Sequence, residues 1–210
     1  ESTRPGHVQI TDQEEIDRVA PIIEAVKARF DVPVSLDTYK SAVAEAGIAV
    51  GADLINDIWG LKYDPKMADV IAKADAACCL MHNRDNSDYG DFLSEWYQET
   101  AECVELAKKA GIADDRIILD PGVGFGKTYE QNLTTIKYMD DLKKLGYPLL
   151  LGTSRKSVIG LTLDTPVTDR AVGTAVTTVF AVQQGYAFVR VHDIKANKQA
   201  IQMTKAIMEA

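Results

Sequence analysis

Short apolar runs recur along the chain, and each one ends in polar or ionisable residues. The runs are continuous rather than alternating, which is typical of parallel strands buried on both faces. Six runs are predicted to be strands, and they begin at Val32, Asp53, Ala76, Arg116, Pro148 and Ala187. The residues that close them are Asp37, Asn56 with Asp57, His82, Asp120, the triplet 154–156, and Arg190 with His192 and Asp193.

The segments between these runs have helical spacing. Thr11 and Glu14 form a capping-box pattern that opens a helix. Its predicted apolar stripe is Ile16, Val19, Ile23, Val26 and Phe30. A later helix, predicted to end at Gly111, carries Leu93, Trp96, Tyr97, Ala101, Val104 and Leu106. Strands that alternate with helices predict an α/β fold with a parallel sheet.

An open doubly wound sheet and a closed (β/α)8 TIM barrel both fit this alternation. All six predicted strands end in polar residues, and a barrel builds its site on that rim, so the barrel is favoured. A barrel needs eight strands and about 250 residues. We therefore expect roughly 40 to 60 residues at the start of the barrel, its first strand–helix unit and most of its second strand, to be absent from this chain. No linker divides residues 1–210, which are interpreted as one domain.

Composition narrows the functional classes. The net charge of −8 is spread along the chain, which argues against nucleic acid as a partner. No apolar run approaches the roughly 20 residues that cross a membrane, and the polar start has no signal-peptide pattern. The three cysteines, an odd number, favour a reducing compartment, and we expect a cytoplasmic protein.

Three strand ends carry acceptor side chains, namely Asp37, Asn56 and Asp120. Two carboxylates and an amide converging at a pocket mouth can accept several N–H donors from a flat heterocycle. They can equally bind a hard cation or act as a base. Taken singly, each is more simply a cap for the following helix. Their joint occurrence favours a functional site.

Basic residues follow the last two strands. Lys156 lies in GTSRKS, while Arg190 and His192 lie in RVHD, and Arg4 lies near the start. In an acidic protein this set predicts an anionic substrate or leaving group, such as phosphate. Arg190 and His192 are two residues apart on the strand, so their side chains are predicted to point the same way. Arg155 is interpreted as a salt-bridge residue on the first turn of a helix.

The glycine-rich stretch 119–128, LDPGVGFGKT, is not a phosphate loop, because Pro121 and Lys127 occupy positions where such motifs need glycine. It is interpreted as a loop in which Phe125 can lie against an aromatic ligand. Cys78, Cys79 and His82 do not have the spacing of a zinc site.

Seven motifs together resemble the dihydropteroate synthase family. They are ESTRPG, SLDTYK, NDI, MHN, LDPGVGFGK, LGTSRKS and RVHD, and they cover essentially the whole chain. The resemblance implies a (β/α)8 barrel that condenses 6-hydroxymethyl-7,8-dihydropterin pyrophosphate with p-aminobenzoate in folate biosynthesis. Two alternatives stay open: a methyltransferase using the same pterin-binding barrel with a corrinoid partner, and a pterin-binding chain without turnover.

The resemblance also implies roles for individual residues. The expected pterin ligands are Asp37, Asn56, Asp120 and Lys156, with Met81 and Arg190 against the ring. The expected pyrophosphate ligands are Arg190 and His192, with Thr3 nearby. Residues expected near p-aminobenzoate, and hence near competing sulfonamides, are Pro5, Phe125 and Ser157, while Arg4 helps to order the site. The catalytic set is expected to be Lys156, Asp120, Arg190 and His192.

Two further expectations follow from the resemblance. Mg²⁺ is expected as a cofactor, but its asparagine ligand lies in a family loop that nothing in this sequence matches. Members of the family are commonly homodimers through late barrel helices, so a homodimer is expected here.

Overall fold

The computed structural model describes residues 8–210, so nothing is said of the structure of Thr3, Arg4 and Pro5, whose predicted roles lie outside the described part. The strands are β1 (Ser35–Asp37), β2 (Leu54–Asp57), β3 (Ala77–Met81), β4 (Ile117–Asp120), β5 (Leu150–Leu151) and β6 (Phe188–Val189). The helices are α1 (Asp12–Lys27), α2 (Ser41–Ala49), α3 (Met67–Lys73), α4 (Phe92–Ala110), α5 (Tyr129–Tyr138), α6 (Ser157–Leu163), α7 (Ala171–Gln183) and α8 (Ile194–Met208). Short 3-10 helices span Asp114–Arg116, Met139–Leu145 and Val167–Asp169.

The described residues form two compact units. The first contains the residues up to Asn83 together with Gln98–Ile118, and the second contains Arg84–Tyr97 and Leu119–Ala210. One sheet has the order β1-β2-β3-β4, and β5 pairs with β6 in a second, two-stranded sheet. The interpretation of residues 1–210 as a single domain stays a prediction.

The pairing is parallel in both sheets, as the alternation of strands and helices predicted. In the first unit, β1 pairs with β2 and β2 with β3 in parallel. In the second unit, β5 pairs in parallel with β6, and a parallel bridge joins Leu119 to Leu149. Within each sheet, parallel strands bring their carboxyl ends to the same edge, where the polar residues that close them lie.

All six predicted strands are present in the described residues, but their burial differs from the prediction. Strands β2, β3 and β4 are almost fully buried, as continuous apolar runs predict. The expectation of burial on both faces is wrong for β1, whose Ser35 is exposed, and for β6, whose Phe188 is 46% exposed. Among the described strands, β1 pairs only with β2 and β6 only with β5, whereas β4, also at the end of its sheet, has a further bridge from Leu119 to Leu149.

The predicted helix starts and ends are largely confirmed. The Thr11 side chain accepts the N–H of Glu14 at 3.2 Å, which caps α1. The predicted stripe is wrong at its end, because α1 stops at Lys27 and Phe30 is exposed. Helix α4 ends at Ala110, followed by Gly111 with a left-handed φ of +89°, as predicted.

The second unit has a compact apolar core beneath its site loops. Its buried members are Val123, Met139, Leu151, Val158, Ile159 and Ala181, with Tyr129, Ile136, Tyr186 and Val189 packed against them. Residues of the β4–α5 loop, β5 and α6 thus share one core, which fixes the backbone that precedes the polar strand ends. Among residues 8–210, no helix is both long and apolar enough to span a bilayer.

Two left-handed glycines of the first unit give a matched prediction. A Cβ on Gly60, at φ +57°, would overlap Cys103 Sγ and lie 3.0 Å from Met81 O. A Cβ on Gly111, at φ +89°, would meet nothing within 4 Å. We expect Gly111→Ala to cost about 1 kcal/mol from backbone strain alone. Gly60→Ala adds a steric clash and should cost about 2–4 kcal/mol. Urea unfolding measures both, and equal costs would contradict the packing around Gly60.

Candidate active site

In the first unit, two of the predicted acceptors lie side by side. Asp37 and Asn56 are register partners in β1 and β2. The Asn56 amide nitrogen donates a hydrogen bond to Asp37 Oδ1. With that N–H used, the groups that the pair offers a ligand are mainly oxygen acceptors, which suits the N–H edge of a heterocycle.

Asp57, the next residue, is an internal brace. Its side chain accepts the N–H groups of Trp59 and Leu61, each at 2.8 Å. These bonds hold a tight turn in which Gly60 and Leu61 have φ of +57° and +70°. Burial raises the pKa of Asp57 to about 6, although both N–H groups act in the opposite direction. Asp57 therefore fixes the backbone immediately after Asn56.

The end of β3 is equally buried. Met81 is 3% exposed, and the neighbouring His82 ring lies 2.9 Å, Nε2 to Oε2, from Glu99. Within the described residues, Cys78, Cys79 and Cys103 are buried thiols that form no disulfide. Desolvation raises the pKa of Cys78 and of Cys103 to about 12, so these thiols stay protonated at neutral pH.

In the second unit, Asp120 is a buried acid surrounded by positive charge. Its Oδ1 accepts the Gly122 N–H at 2.7 Å. Burial raises the pKa of Asp120, while the charges of Lys156, Lys127 and Arg190 act in the opposite direction. A Cβ on Gly152, the residue after β5, would lie 3.4 Å from Asp120 Oδ2, an ordinary van der Waals distance, so the end of β5 lies beside this carboxyl group.

The loop that follows β4 is held by two lysines. Lys127 Nζ donates to the carbonyl oxygens of Gly122 and Phe125, at 3.0 Å each. Lys156 Nζ donates to Val123 O and lies 4.7 Å from the centre of the Phe125 ring. Lys156 thus lies against the Phe125 ring, and its charge also acts on the carboxyl group of Asp120.

The prediction for Arg190 and His192 needs a correction. They do not extend a strand, because β6 pairs only at Phe188 and Val189. The Arg190 N–H still bonds Leu151 O at 2.9 Å, but the His192 N–H bonds the Ser154 side chain at 3.0 Å instead of a strand carbonyl. The backbone leaves the sheet between them, so the same-face argument does not apply. Both residues are exposed on the β6–α8 loop.

Arg155 forms a salt bridge, as predicted, and its partner is Asp193. Its predicted location on the first turn of a helix is wrong, because it lies in the turn before α6. Helix α6 begins at Ser157, which is exposed. Arg155 has a left-handed φ of 58°, which a first-turn helical residue cannot have.

Sequence reasoning missed the residues that support these loops. Arg170 donates to the carbonyl oxygens of Arg155 and Lys156 at 3.0 and 3.3 Å. The buried Asn132 accepts the Gly124 N–H and donates to Thr128 O at 2.7 Å. Asn132 carried no sequence signal, since its burial and its partners are visible only in the structure. Arg170 carried none.

Within residues 8–210, no cluster of three histidine, cysteine or acidic side chains could hold a metal ion. In the second unit, the charged side chains that act on Asp120 are cationic, namely Lys156, Lys127 and Arg190.

Comparisons with known proteins show which family the chain belongs to. Residues 1–192 match the family described as pterin binding enzyme. A dihydropteroate synthase of Clostridium beijerinckii is 54% identical over 99% of this chain and 78% of its own length. The structure of the Clostridium difficile dihydropteroate synthase with pteroic acid has a TM-score of 0.96 and 47% identity, covering 99% of this chain and 79% of that one. A Yersinia pestis structure with a pterine–sulfa conjugate has a TM-score of 0.94 and 38% identity, covering 100% and 81%.

The fold and these matches define a pterin binding enzyme of the α/β class. Its fold is a (β/α)8 barrel, and the described residues contain six of the strand–helix units. The chain belongs to the dihydropteroate synthase family, whose members are transferases. The predicted family and fold class are thereby confirmed.

The raised pKa of Asp57 predicts how the stability of the protein depends on pH. Because its pKa in the folded protein is raised to about 6, the folded state holds this proton more tightly than the unfolded chain does. Asp57 therefore stabilises the protein most at acidic pH, and this contribution falls as pH rises towards 6. The cost of Asp57→Asn in unfolding free energy should be larger at pH 4 than at pH 7, by up to about 3 kcal/mol.

Asp53→Asn is the control for that measurement. The Val34 N–H and Lys27 lower the pKa of Asp53, so its contribution is fully present above the ordinary range of an aspartate. Its cost should be nearly constant from about pH 5 to 7. Parallel pH profiles for the two variants would contradict the assignment of the raised pKa to Asp57.

Proposed function

We propose that this chain performs the dihydropteroate synthase reaction, the condensation of 6-hydroxymethyl-7,8-dihydropterin pyrophosphate with p-aminobenzoate to give 7,8-dihydropteroate and pyrophosphate. The observation that carries the proposal is the buried Asp120 under the charges of Lys156, Lys127 and Arg190. One ligand that needs both a buried acceptor and nearby cations is a pterin bearing a pyrophosphate. Family membership supports the same reaction.

Pterin recognition is assigned to the acceptors. The ring presents a row of N–H donors along one edge, and in the second unit Asp120 supplies oxygen atoms for such donors. The family resemblance assigns the same role to Asp37 and Asn56 of the first unit. A ligand N–H favours the ionised form of Asp120, whose pKa burial raises in the free protein. Binding the pterin therefore offsets the cost of a buried carboxylate. Lys156 and Met81 complete this part of the proposed site.

Pyrophosphate departure is assigned to the cations. The bond between the pterin methylene carbon and the bridging oxygen breaks, and its electron pair leaves with pyrophosphate. Arg190 and His192 bind the leaving anion, and the methylene carbon becomes cationic. The amine nitrogen of p-aminobenzoate then attacks this carbon and loses a proton to solvent. Oriented charges stabilise the separated ions, so no covalent intermediate with the protein is needed.

The p-aminobenzoate site is proposed to include Phe125 and Ser157, with Pro5 and Thr3 from the ESTRPG motif and Arg4 ordering the site. The Phe125 ring, fixed under Lys156 at 4.7 Å, offers an apolar face to an aromatic acid. Sulfonamides share the shape of p-aminobenzoate, so we propose that they compete for this place. The related Clostridium difficile and Yersinia pestis enzymes were solved with pteroic acid and with a pterine–sulfa conjugate, which supports such ligands here.

Mg²⁺ is proposed to accompany the pyrophosphate. A protein commonly binds Mg²⁺ through few of its own groups together with substrate phosphates. The described residues do not provide a cluster for the ion, and the expected asparagine has no match in this sequence. No step above is therefore assigned to Mg²⁺.

A homodimer and a cytoplasmic location complete the proposal. On α7, Val172, Val176 and Phe180 recur at every fourth position and are 76%, 51% and 46% exposed, which gives an apolar stripe suited to a second copy. Sedimentation equilibrium tests the dimer directly. Three buried free cysteines suit a reducing compartment.

Asp120→Asn tests the proposed function. The asparagine oxygen can still accept the Gly122 N–H, but an NH₂ group replaces the acceptor that faces the N–H donors of the ligand. We expect pterin affinity, measured by calorimetry, to fall about a hundredfold, as for the loss of charge-assisted hydrogen bonds. Condensation of the pterin pyrophosphate with labelled p-aminobenzoate should fall at least as much.

The matched control is Asp141→Asn, which makes the same change in a salt bridge with Lys144 on a 3-10 helix. It should leave pterin affinity unchanged. Unaltered pterin affinity in Asp120→Asn, with the fold intact by circular dichroism, would refute the assignment.

A further inference from the structure

The GTSRKS and RVHD motifs each contain one charged residue that the proposed reaction does not use. These residues are Arg155 and Asp193, and they pair with each other in the second unit. Arg155 Nε lies 3.0 Å from Asp193 Oδ2, and Arg155 Nη2 lies 2.6 Å from Asp193 Oδ1. This two-pronged geometry fixes both distance and orientation. The β5–α6 loop and the β6–α8 loop are therefore tied together beside Lys156 and His192.

The backbone of Arg155 is held as firmly as its side chain. Its left-handed φ of 58° is costly for a residue with a Cβ and persists only where the surroundings enforce it. Thr174 Oγ1 accepts the Arg155 N–H at 3.2 Å, and Arg170 Nη1 donates to Arg155 O at 3.0 Å. The turn that presents Ser154 and Lys156 is thus set by contacts from α7 and its N-cap.

A second tie between the two loops involves Ser154. Its Oγ accepts the backbone N–H of His192 at 3.0 Å and lies 2.9 Å from Nδ1 of the same residue. A serine hydroxyl has one hydrogen to donate. With the backbone N–H directed at its oxygen, the hydroxyl hydrogen is positioned to donate to Nδ1. A neutral His192 ring then carries its own hydrogen on Nε2, the nitrogen away from Ser154.

We propose that Ser154 is a positioning residue that holds the neutral His192 ring with Nδ1 as acceptor and Nε2–H as donor, while the Arg155–Asp193 pair sets the register of the two loops. The donor serves an oxygen of a diphosphate group, and this part rests on the proposed function. If the ring gains a second proton, the hydroxyl rotates and accepts from Nδ1–H, so the ring orientation is kept in both states.

Nitrogen-15 NMR of the histidine rings tests the proposal in the free protein, at about pH 8, where an ordinary imidazole is neutral. The chain has three histidines, and His192→Gln assigns the relevant signals. We expect Nδ1 of His192 to resonate as a hydrogen-bonded acceptor, with the proton on Nε2. In Ser154→Ala, both ring signals should move towards the averaged values of an imidazole that exchanges between tautomers. Ser154→Thr, which retains the hydroxyl, should restore them.

Binding of inorganic pyrophosphate, measured by calorimetry on the same variants, is the second readout. Ser154→Ala should raise its Kd about fivefold, as for the loss of one hydrogen bond that orients a ligand. Ser154→Thr should return it towards the wild-type value, and Ser94→Ala on α4 should not change it. A purely structural role for Ser154 would lower the melting temperature without moving the His192 signals.

The proposal is overturned if wild-type His192 carries its proton on Nδ1, or if Ser154→Ala leaves both ring signals unchanged. Failure of the wild-type chain to bind pyrophosphate would instead overturn the proposed role of His192 in the reaction. The two failures are distinguishable, because the ring signals are recorded without any ligand.

Discussion

A carboxyl group buried at the end of β4 is the constraint on which the second unit depends. Burying an ionised Asp120 away from water costs free energy. The Gly122 N–H, which donates to its carboxyl group, and three nearby cations partly offset this cost. Those cations, Lys156, Lys127 and Arg190, come from three different loops, so each loop must be held in place for the carboxylate to be tolerated. Fixed loops are also what a site for a charged substrate needs.

The loops are held largely through their own backbone carbonyl groups. Lys127 and Lys156 bond carbonyl oxygens of the β4–α5 loop, and Arg170 does the same for the β5–α6 loop. Irregular backbone near a core must find partners for its polar groups, and a long cationic side chain can satisfy two at once. Lys127 and Lys156 therefore both stabilise the fold and supply part of the positive field of the proposed site. A loss of activity after replacing Lys156 would reflect both roles.

The strand ends could be predicted from the sequence because burial leaves a local signal. Asp37, Asn56 and Asp120 each interrupt an apolar run, and parallel strands bring such interruptions to one edge. The direction of His192 and the partner of Arg155 could not be predicted, since both are set by contacts between residues 38 apart in sequence. Resemblance supplied the substrates, whereas the residues alone indicated only a flat heterocycle and an anion.

The central claim is that Asp120 becomes the ionised acceptor of the pterin. Calorimetry of pterin binding in buffers of different ionisation enthalpy, over about pH 5 to 8, measures the protons exchanged. Because burial raises the pKa of Asp120 and ligand N–H groups lower it again, binding should release protons to the buffer. The release should persist in Asp57→Asn, which removes the other buried acid with a raised pKa. Proton uptake, or no exchange across the whole range, would contradict the account.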